Sequence, residues 1–547
     1  MPPRLIIFGL DGATFDLIRP WAAAGYLPTL HALLQRGVSG DLASTLPPLT
    51  ATAWPSFMTG KNPGKHGIFD FFRPTTGELV FVNASQIDGR WWAEDLSAAG
   101  LSVGLLNVPL THPPRAINGY IIPGTPAPDE GHTTWPRDLL SAYERELGAY
   151  RIAPRFVYRA GHEAEYCAEL HDLIELHTRY ALRLMRDRPT EVVMLHLLAT
   201  DSAQHALWKF QDAAHPRYRA DQAARFGTAL RDVFAHVDRA LASILELASP
   251  ATNVIVMSDH GFGPLHRTIN LNHFFRAQGL LALKSNRATR LRDCLFRHDL
   301  DLSLPWKIIR RVGLGNRLGK LGRIAREWSQ RKLLTFADVD WSRTVAYAWG
   351  HFGQVYINVT GRMPHGCVAP RDYEAVRERV IESLRTLRDP LTQQPLVDEI
   401  VPREAAAHGP HLDEGPDLHV IMDGYRTVAY PLFAADAHLF AQRVPDDSGT
   451  HRPAGIFIAS GPEVAQGRTI DGARLIDLAP TILHLLRTPL PIDYDGRVLS
   501  EALSLEVAAT PIVYRDDNAT VERNEVAFSN DEQHIVEDRL RLLGYLG

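Results

Sequence analysis

The chain alternates short apolar runs with longer amphipathic stretches. Eight apolar runs predict β-strands, at Leu5–Leu10, Leu101–Val108, Tyr120–Ile122, Val192–Leu198, Val254–Met257, Val355–Val359, Leu418–Met422 and Ile456–Ala459. Apolar residues at helical spacing predict helices between several of them, including Thr29–Arg36, Glu163–Arg186 and Gln222–Leu247. A run that is apolar throughout is typical of a strand buried on both faces. The alternation therefore predicts an α/β sandwich around a mostly parallel central sheet.

Acidic residues closely follow two of these predicted strands. Asp11 follows Leu5–Leu10, and Asp259 with His260 follows Val254–Met257 in the stretch SDHG. Ligand sites in open parallel sheets lie at the carboxyl ends of the strands. Turn formation explains each of these residues equally well when it is taken alone. Their recurrence at strand ends favours a shared site.

Three more residues of the same chemistry flank other predicted strands. Asp201 and His205 follow Val192–Leu198 and are four residues apart, so a helix that begins there places both near one face. His451 lies just before the strand Ile456–Ala459. As single residues, Asp201 also suits a helix N-cap and His451 a loop.

The candidates form a mixed set of oxygen and nitrogen ligands. They are three carboxylates and three imidazoles, namely Asp11, Asp201, His205, Asp259, His260 and His451. Such a set suits Zn²⁺ or Mn²⁺. Six ligands exceed what one tetrahedral ion needs, whereas hydrolases that transfer phosphoryl groups use two ions roughly 4 Å apart.

A nucleophile is expected in the segment Leu46–Phe71, which is rich in hydroxyl groups, glycine and proline. Thr50 or Thr52 is placed to begin a helix that Ala53 continues. The simpler interpretation is an N-cap followed by proline in the first turn. A hydroxyl at a helix N-terminus also lies beside the positive end of the helix dipole, which favours a bound phosphate.

The order of these motifs resembles the alkaline phosphatase superfamily, in particular its type I phosphodiesterase/nucleotide pyrophosphatase branch. The motifs are an Asp, a Thr followed by TG-x-x-P-x-x-HGI, an Asp-x-x-x-His, SDHG and a late His. The resemblance covers about Leu5 to Leu499. It implies a three-layer sandwich with an inserted lobe, and two divalent metal ions, usually zinc.

The resemblance also implies a role for each residue. One ion would be held by Asp201, His205 and His451. The other would be held by Asp11, Asp259 and His260, with the nucleophilic hydroxyl beside it. In the family the nucleophile precedes the Thr of the TG turn by nine residues, which selects Thr50 over the alternative Thr52.

The activity implied is that of a metal-dependent hydrolase of phosphate esters. A phosphodiesterase that acts through a phosphothreonine comes first, and a phosphomonoesterase, phosphotransferase or phosphomutase of the same fold is the alternative. A catalytically silent binding protein comes last, because all six ligands are present. Ala53 stands where the nucleotide pyrophosphatases carry a phosphate-binding Asn.

The predicted organisation is one catalytic domain over residues 1–503, with an inserted cap or lobe at about 281–400. Residues 504–547 are predicted to form a tail with a helix at Glu532–Leu546, where apolar residues recur at near-helical spacing. The sequence leaves open the role of the lobe and the tail, and the oligomeric state.

Composition and net charge limit the classes of molecule that the chain is expected to bind and the compartment in which it is expected to lie. The net charge of −5 offers no basic footprint for nucleic acid, so the expected partner is a small-molecule phosphate ester. No apolar run approaches the length of a membrane-spanning helix. Three widely spaced cysteines suggest no disulfide framework, and the short stretch before the first strand at Leu5 predicts no secretory leader. A cytoplasmic location is therefore expected.

Overall fold

The computed structural model describes residues 2–73, 79–129, 133–298, 334–363, 365–442, 446–516 and 526–545. Its strands are β1 (Leu5–Leu10), β2 (Val38–Ala43), β3 (Phe72–Arg73), β4 (Val80–Phe81), β5 (Val103–Val108), β6 (Gly119–Pro123), β7 (Val192–Leu197), β8 (Asn253–Met257), β9 (Gly261–Pro264), β10 (Arg267–Ile269), β11 (Ala346–Ala348), β12 (Gln354–Ile357), β13 (Val397–Pro402), β14 (Leu418–Met422), β15 (Thr427–Ala429), β16 (Gly449–Arg452), β17 (Ala454–Ser460), β18 (Arg468–Thr469), β19 (Ala473–Arg474), β20 (Leu490–Pro491) and β21 (Tyr514–Arg515).

The helices include several short ones beside the long α7 and α10. They are α1 (Phe15–Ala23), α2 (Pro28–Arg36), α3 (Thr50–Thr59), α4 (Pro63–His66), α5 (Trp92–Ala98), α6 (Glu144–Leu147), α7 (Glu163–Asp187), α8 (Ala199–Gln211), α9 (Ala220–Phe226), α10 (Ala229–Leu245), α11 (Leu271–Ala277), α12 (Arg287–Arg297), α13 (Tyr373–Leu384), α14 (Arg403–Ala406), α15 (Leu478–Leu485), α16 (Leu505–Ala508) and α17 (Asn530–Leu542).

The central sheet has the strand order β18-β2-β17-β8-β1-β7-β5-β6, with β19 also beside β2. Strand β1 runs parallel to both β7 and β8, and β5 runs parallel to β6 and β7. Strand β17 is antiparallel to both of its neighbours, β8 and β2. The prediction of a mostly parallel central sheet is confirmed.

Helices cover both faces of this sheet. Every residue of β1, β5 and β7 is buried, so neither face of these strands meets solvent. Helix α10 packs on α2 and α7, which in turn contact β17 and β7, while α3, α5 and α15 pack on one another and α5 contacts β5. The predicted α/β class is confirmed, because parallel strands buried on both faces need a helical layer on each side.

Three details differ from the predicted elements. The predicted helix Gln222–Leu247 is two helices, α9 and α10, that separate at Gly227, and glycine has a low helix propensity. Strand β2 was not predicted, because its sequence VSGDLA carries polar residues among the apolar ones. The direction of β17 was also not predictable, since an apolar run does not show which way it pairs.

A second, antiparallel sheet has the order β11-β12-β14-β13 and extends from Ala346 to Met422. It overlaps the lobe predicted at 281–400 and continues beyond it. Residues 299–333 of that lobe lie outside the described residues. The boundaries of the catalytic domain, lobe and tail therefore stay predictions.

Candidate functional site

Neighbouring strands bring three carboxylates to one edge of the central sheet. Strands β8, β1 and β7 are adjacent and parallel, so their carboxyl ends lie side by side. Asp11 directly follows β1, Asp259 lies two residues beyond β8, and Asp201 lies in the first turn of α8 after β7. All three side chains are buried.

Two histidines reach the same edge by different routes. His205 lies one helical turn after Asp201 on α8. His451 lies on β16, just before β17, and pairs with Phe262 of β9. Because β17 is antiparallel to β8, the beginning of β17 lies where β8 ends. The antiparallel direction of one strand thus delivers His451 to the carboxyl ends of its parallel neighbours.

The first group of ligand atoms consists of Asp201, His205 and His451. Asp201 Oδ1 lies 3.5 Å from His205 Nε2 and 3.4 Å from His451 Nε2. The two Nε2 atoms are 3.1 Å apart. This is the trio that the sequence assigns to one ion.

The second group is centred on His260. His260 Nε2 lies 3.5 Å from Asp11 Oδ1 and 3.3 Å from Asp259 Oδ2. Ligand atoms of Asp11, Asp201 and His260, one from each residue, also lie within 4.8 Å of one another, so Asp201 is close to both groups. The ring centroids of His260 and His451 are 3.6 Å apart, which makes the two groups contiguous.

Backbone carbonyls orient all three imidazoles in the same way. The Nδ1–H groups of His205, His260 and His451 donate to the carbonyls of Gly449, Gly261 and Pro48, at 3.1, 3.1 and 2.9 Å. A hydrogen bond of this kind determines which ring nitrogen keeps its lone pair. Each Nε2 therefore presents a lone pair to the centre of the site.

Burial and mutual charge act strongly on the carboxylates. Burial and the charge of Asp201 raise the pKa of Asp11 well above its ordinary value. Burial and the charge of Asp11 raise the pKa of Asp259 to about 7. Burial opposes ionisation of Asp201, but the charge of His205 and the close approach of the His205 and His451 imidazoles outweigh it and lower the pKa of Asp201. At Asp11 and Asp259, no nearby positive charge outweighs burial and mutual repulsion, so the ionised forms of these carboxylates are disfavoured.

The histidines respond to the same surroundings in opposite ways. Burial opposes protonation of His205, but the charge of Asp201 outweighs it and raises the pKa of His205 to about 9. Burial and the charge of His260 lower the pKa of His451 to about 3. A proton and a metal ion therefore compete for the Nε2 atom of His205.

The residues of this site fit divalent cations. Asp11 Oδ1, Asp259 Oδ2 and both side-chain oxygens of Asp201 are buried and accept no hydrogen bond from the described residues. Buried polar atoms without partners are costly, and the Nε2 atoms of His205 and His451 lie only 3.1 Å apart. Cations between these atoms would satisfy them all. Carboxylate oxygen with imidazole nitrogen is a ligand set that Zn²⁺ and Mn²⁺ accept.

Of the two candidate nucleophiles, the structure brings Thr50 to this cluster. Thr50 is the first residue of α3, and its Oγ1 lies 3.2 Å from His260 Nε2. Thr52 Oγ1 donates instead to the carbonyl of Phe69 at 3.1 Å. The backbone N–H groups of Thr52 and Ala53 donate to Leu49, so both are used within the helix.

Two further residues touch the cluster and were missed in the sequence. His196, the penultimate residue of β7, donates from Nε2 to Asp11 Oδ2 at 2.7 Å. The signal for it was a histidine inside an otherwise apolar strand. Tyr545 lies near the other end of the chain, yet its hydroxyl is 3.0 Å from Thr50 Oγ1. Nothing near Tyr545 in the sequence points to the site.

A family model described as type I phosphodiesterase / nucleotide pyrophosphatase matches residues 5–432. Five of the six candidate ligands lie inside this range, and His451 lies beyond it. The 2,3-bisphosphoglycerate-independent phosphoglycerate mutase of Dinoroseobacter shibae is 43% identical over 60 residues. That match spans 10% of this chain and 11% of the mutase, so it covers about a tenth of either protein.

Among solved structures, a murine ectonucleotide pyrophosphatase/phosphodiesterase 5, an inactive variant in complex with AMP, is 14% identical with a TM-score of 0.47. The alignment covers 92% of this chain and 100% of that chain. A phosphonoacetate hydrolase from Sinorhizobium meliloti in complex with phosphonoacetate is 16% identical with a TM-score of 0.49, covering 87% of this chain and 94% of that chain.

Across the described residues, none of the helices combines the length and the apolar character needed to cross a membrane.

Proposed function

This chain belongs to the type I phosphodiesterase/nucleotide pyrophosphatase family, and from this premise we propose that it is a two-metal hydrolase of phosphate diesters that acts through a phosphothreonine at Thr50. The observation that carries the proposal is the position of Thr50 Oγ1, 3.2 Å from His260 Nε2, at the edge of a buried cluster of carboxylates and imidazoles. A nucleophilic hydroxyl beside metal ligands is the arrangement that this chemistry requires.

The proposed division of ligands follows the two groups of atoms. Asp201, His205 and His451 would hold one ion, and Asp11, Asp259 and His260 would hold the other, beside Thr50. Asp201 lies close to both groups, which supports two ions that are near neighbours. Zinc is the expected metal, and manganese suits the same donors. Two such ions supply positive charge that favours an ionised nucleophile and an ionised leaving oxygen.

The proposed reaction has two displacements at phosphorus, and Thr50 takes part in both. Thr50 Oγ1 forms a bond to phosphorus while the ester bond to one alcohol breaks, and the proton of the Thr50 hydroxyl ends on that alcohol. Water then breaks the bond between phosphorus and Oγ1 and restores the hydroxyl. Helix α3 holds Thr50 rigidly, because every residue of that helix is buried. A fixed nucleophile contributes through orientation.

The test is hydrolysis of bis-p-nitrophenyl phosphate and p-nitrophenyl phosphate, with metal content measured on the same samples. Thr50→Ala should keep two ions per chain and lose diester turnover by at least about 1,000-fold, since it removes the attacking atom. The matched control is Thr52→Val, on the same buried helix, which should stay within about threefold of the wild type.

Each other outcome has a definite meaning. Full activity in Thr50→Ala would make water or Thr52 the attacking group and would refute a phosphothreonine at Thr50. Faster turnover of the monoester than of the diester would assign a phosphomonoesterase. A wild-type chain that binds no divalent ion would refute the whole assignment of ligands.

A further inference from the structure

The hydroxyl of Tyr545 reaches the nucleophile from a distant part of the chain. It lies 3.0 Å from Thr50 Oγ1, although 495 positions separate the two residues. The side chain of Tyr545 is buried. Its ring packs against Phe71 at a centroid distance of 4.5 Å and presents an edge to His451 at 6.3 Å. Tyr545 therefore belongs to the wall of the site.

The end of α17 directs Tyr545 toward the site. The N–H of Tyr545 donates to the carbonyl of Leu540 at 2.8 Å, and the N–H of Gly544 donates to that of Arg541 at 3.1 Å. Together with the positive φ of Gly544, +86°, these two bonds form a Schellman motif. A Cβ at Gly544 would lie 2.9 Å from Asp447 Oδ2, so this turn packs close to Asp447.

The segment that carries Tyr545 is anchored along its length. The backbone N–H of Val526 donates to Ser85 Oγ at 2.9 Å, and Asn83 Nδ2 donates to the carbonyl of Val526 at 2.7 Å. Phe528 stacks on His112 with ring centroids 5.8 Å apart.

Helix α17 adds a buried face and a capped start to these anchors. Val536 and Leu540 are completely buried. Ser529 and Glu532 form a capping box that fixes where the helix begins. Packing rather than chance contact of a chain end therefore holds the Tyr545 hydroxyl in place.

The direction of the hydrogen bond follows from the neighbouring imidazole. His260 uses its Nδ1–H for the carbonyl of Gly261, so its Nε2 carries a lone pair toward Thr50. A cation held by that lone pair would leave Nε2 unable to accept the Thr50 proton, whereas the Tyr545 O–H would still be able to donate to Thr50 Oγ1. When Thr50 loses that proton, Tyr545 still has a proton to donate to the anionic oxygen. Donors aimed at developing negative charge in a buried site stabilise it strongly.

We propose that Tyr545 is a positioning residue of the active site, which orients Thr50 Oγ1 for attack and donates a hydrogen bond to it. The proposal rests on the proposed function of Thr50 and deepens it. Under this proposal the segment Val526–Tyr545 is a structural part of the active site, and the Tyr545 hydroxyl contributes to the rate of the chemical step.

The experiment compares the full-length, metal-loaded wild type with Tyr545→Phe, which keeps the ring and removes only the hydroxyl. A hydrogen bond to a charged oxygen corresponds to a rate effect of about 10- to 100-fold. Tyr545→Phe should therefore lower kcat for bis-p-nitrophenyl phosphate by about that factor, with KM and metal content unchanged. The matched control is Tyr180→Phe, which removes another buried hydroxyl, bonded to the carbonyl of Gly148, and should leave kcat unchanged.

Unchanged kcat in Tyr545→Phe would overturn the proposal. Faster turnover would also overturn it, because it would show that the hydroxyl obstructs the phosphoryl group instead of assisting the nucleophile. A fall in kcat that is matched by loss of bound metal would assign a merely structural role to the hydroxyl.

A second measurement tests the placement of Tyr545 without turnover, so that failure of the proposed function remains distinguishable. Backbone amides of residues 530–542 in the metal-loaded wild type should exchange hydrogen far more slowly than in an unfolded chain. Exchange at the unfolded rate would overturn the proposal whether or not the protein hydrolyses phosphate esters. If the wild type binds metal but hydrolyses neither ester, the proposed function fails, and this result is separate from the exchange measurement on residues 530–542.

Discussion

Substitution of His196 tests whether its hydrogen bond to Asp11 holds that candidate metal ligand in position. It is buried in β7, and burial lowers its pKa to about 4, so the imidazole is neutral at pH 7. Its Nε2–H donates to Asp11 Oδ2 at 2.7 Å, while the ring of Trp54 packs edge-on against it at 4.9 Å. The bond leaves Asp11 Oδ1 as the oxygen that faces His260. His196→Leu removes the donor and keeps an apolar side chain in its place.

The expected magnitude follows from the charge of the acceptor. A hydrogen bond to an ionised group contributes about 1.5–3 kcal/mol, which corresponds to roughly 10- to 150-fold in an equilibrium constant. Partners that orient a metal ligand typically affect metal affinity by about 10- to 100-fold. We therefore expect His196→Leu to weaken zinc binding by about 10- to 100-fold, and His196→Gln, whose amide retains an N–H donor, to lose less.

The assay is competition for Zn²⁺ between the protein and a chromophoric chelator at constant pH. His419→Leu is the matched control, because His419 is equally buried, lies in the second sheet, and has its pKa lowered to about 4 by burial alone. It should bind zinc within about threefold of the wild type. Zinc affinity of His196→Leu equal to that of the wild type, in a folded protein, would refute the role assigned to His196.

Two further predictions concern stability. Burial raises the pKa of Asp70 from 3.8 to about 7, so the folded chain keeps a proton that the unfolded chain releases, and the free energy of unfolding falls as pH rises between these values. Asp70→Asn should remove roughly 3 kcal/mol of the fall between pH 5 and pH 8, measured by denaturant unfolding at these two pH values; an unchanged difference between them would contradict it. Gly261→Ala should destabilise the fold by about 3 kcal/mol or more and reduce bound metal through its neighbour His260, because its Cβ would lie 1.9 Å from the carbonyl oxygen of Ala454. Thermal unfolding and metal content measure this, and a fully stable, fully loaded variant would contradict it.

Much of the fold was predictable because local hydrophobic pattern and strand burial coincide. The runs at Leu5–Leu10 and Leu418–Met422 are strands with the predicted bounds. The direction in which two strands pair could not be predicted in this way, because it depends on partners far away in the sequence. Strand β17 shows this: its apolar run was evident, but its antiparallel pairing with β8 and β2 was not.

The candidate site divides in the same way. Acidic residues and histidines at strand ends were visible because the carboxyl edge of a parallel sheet gathers them. The closeness of Asp201 to His260 was not visible, since it depends on the position of α8, which packs on β9 and β16. His196 left a faint signal within its own strand. Tyr545 left none, because only the docking of α17 brings it to Thr50.

The contact between Thr50 and Tyr545 also has a consequence for biosynthesis. With 495 positions between them, translation at about 5–20 residues per second separates the two by roughly 25–100 s. Throughout that interval a growing chain holds Thr50 without its partner hydroxyl. The contact can form only once the segment that carries Tyr545 has been synthesised. A polypeptide whose synthesis stops before Tyr545 would therefore lack the hydrogen bond to Thr50.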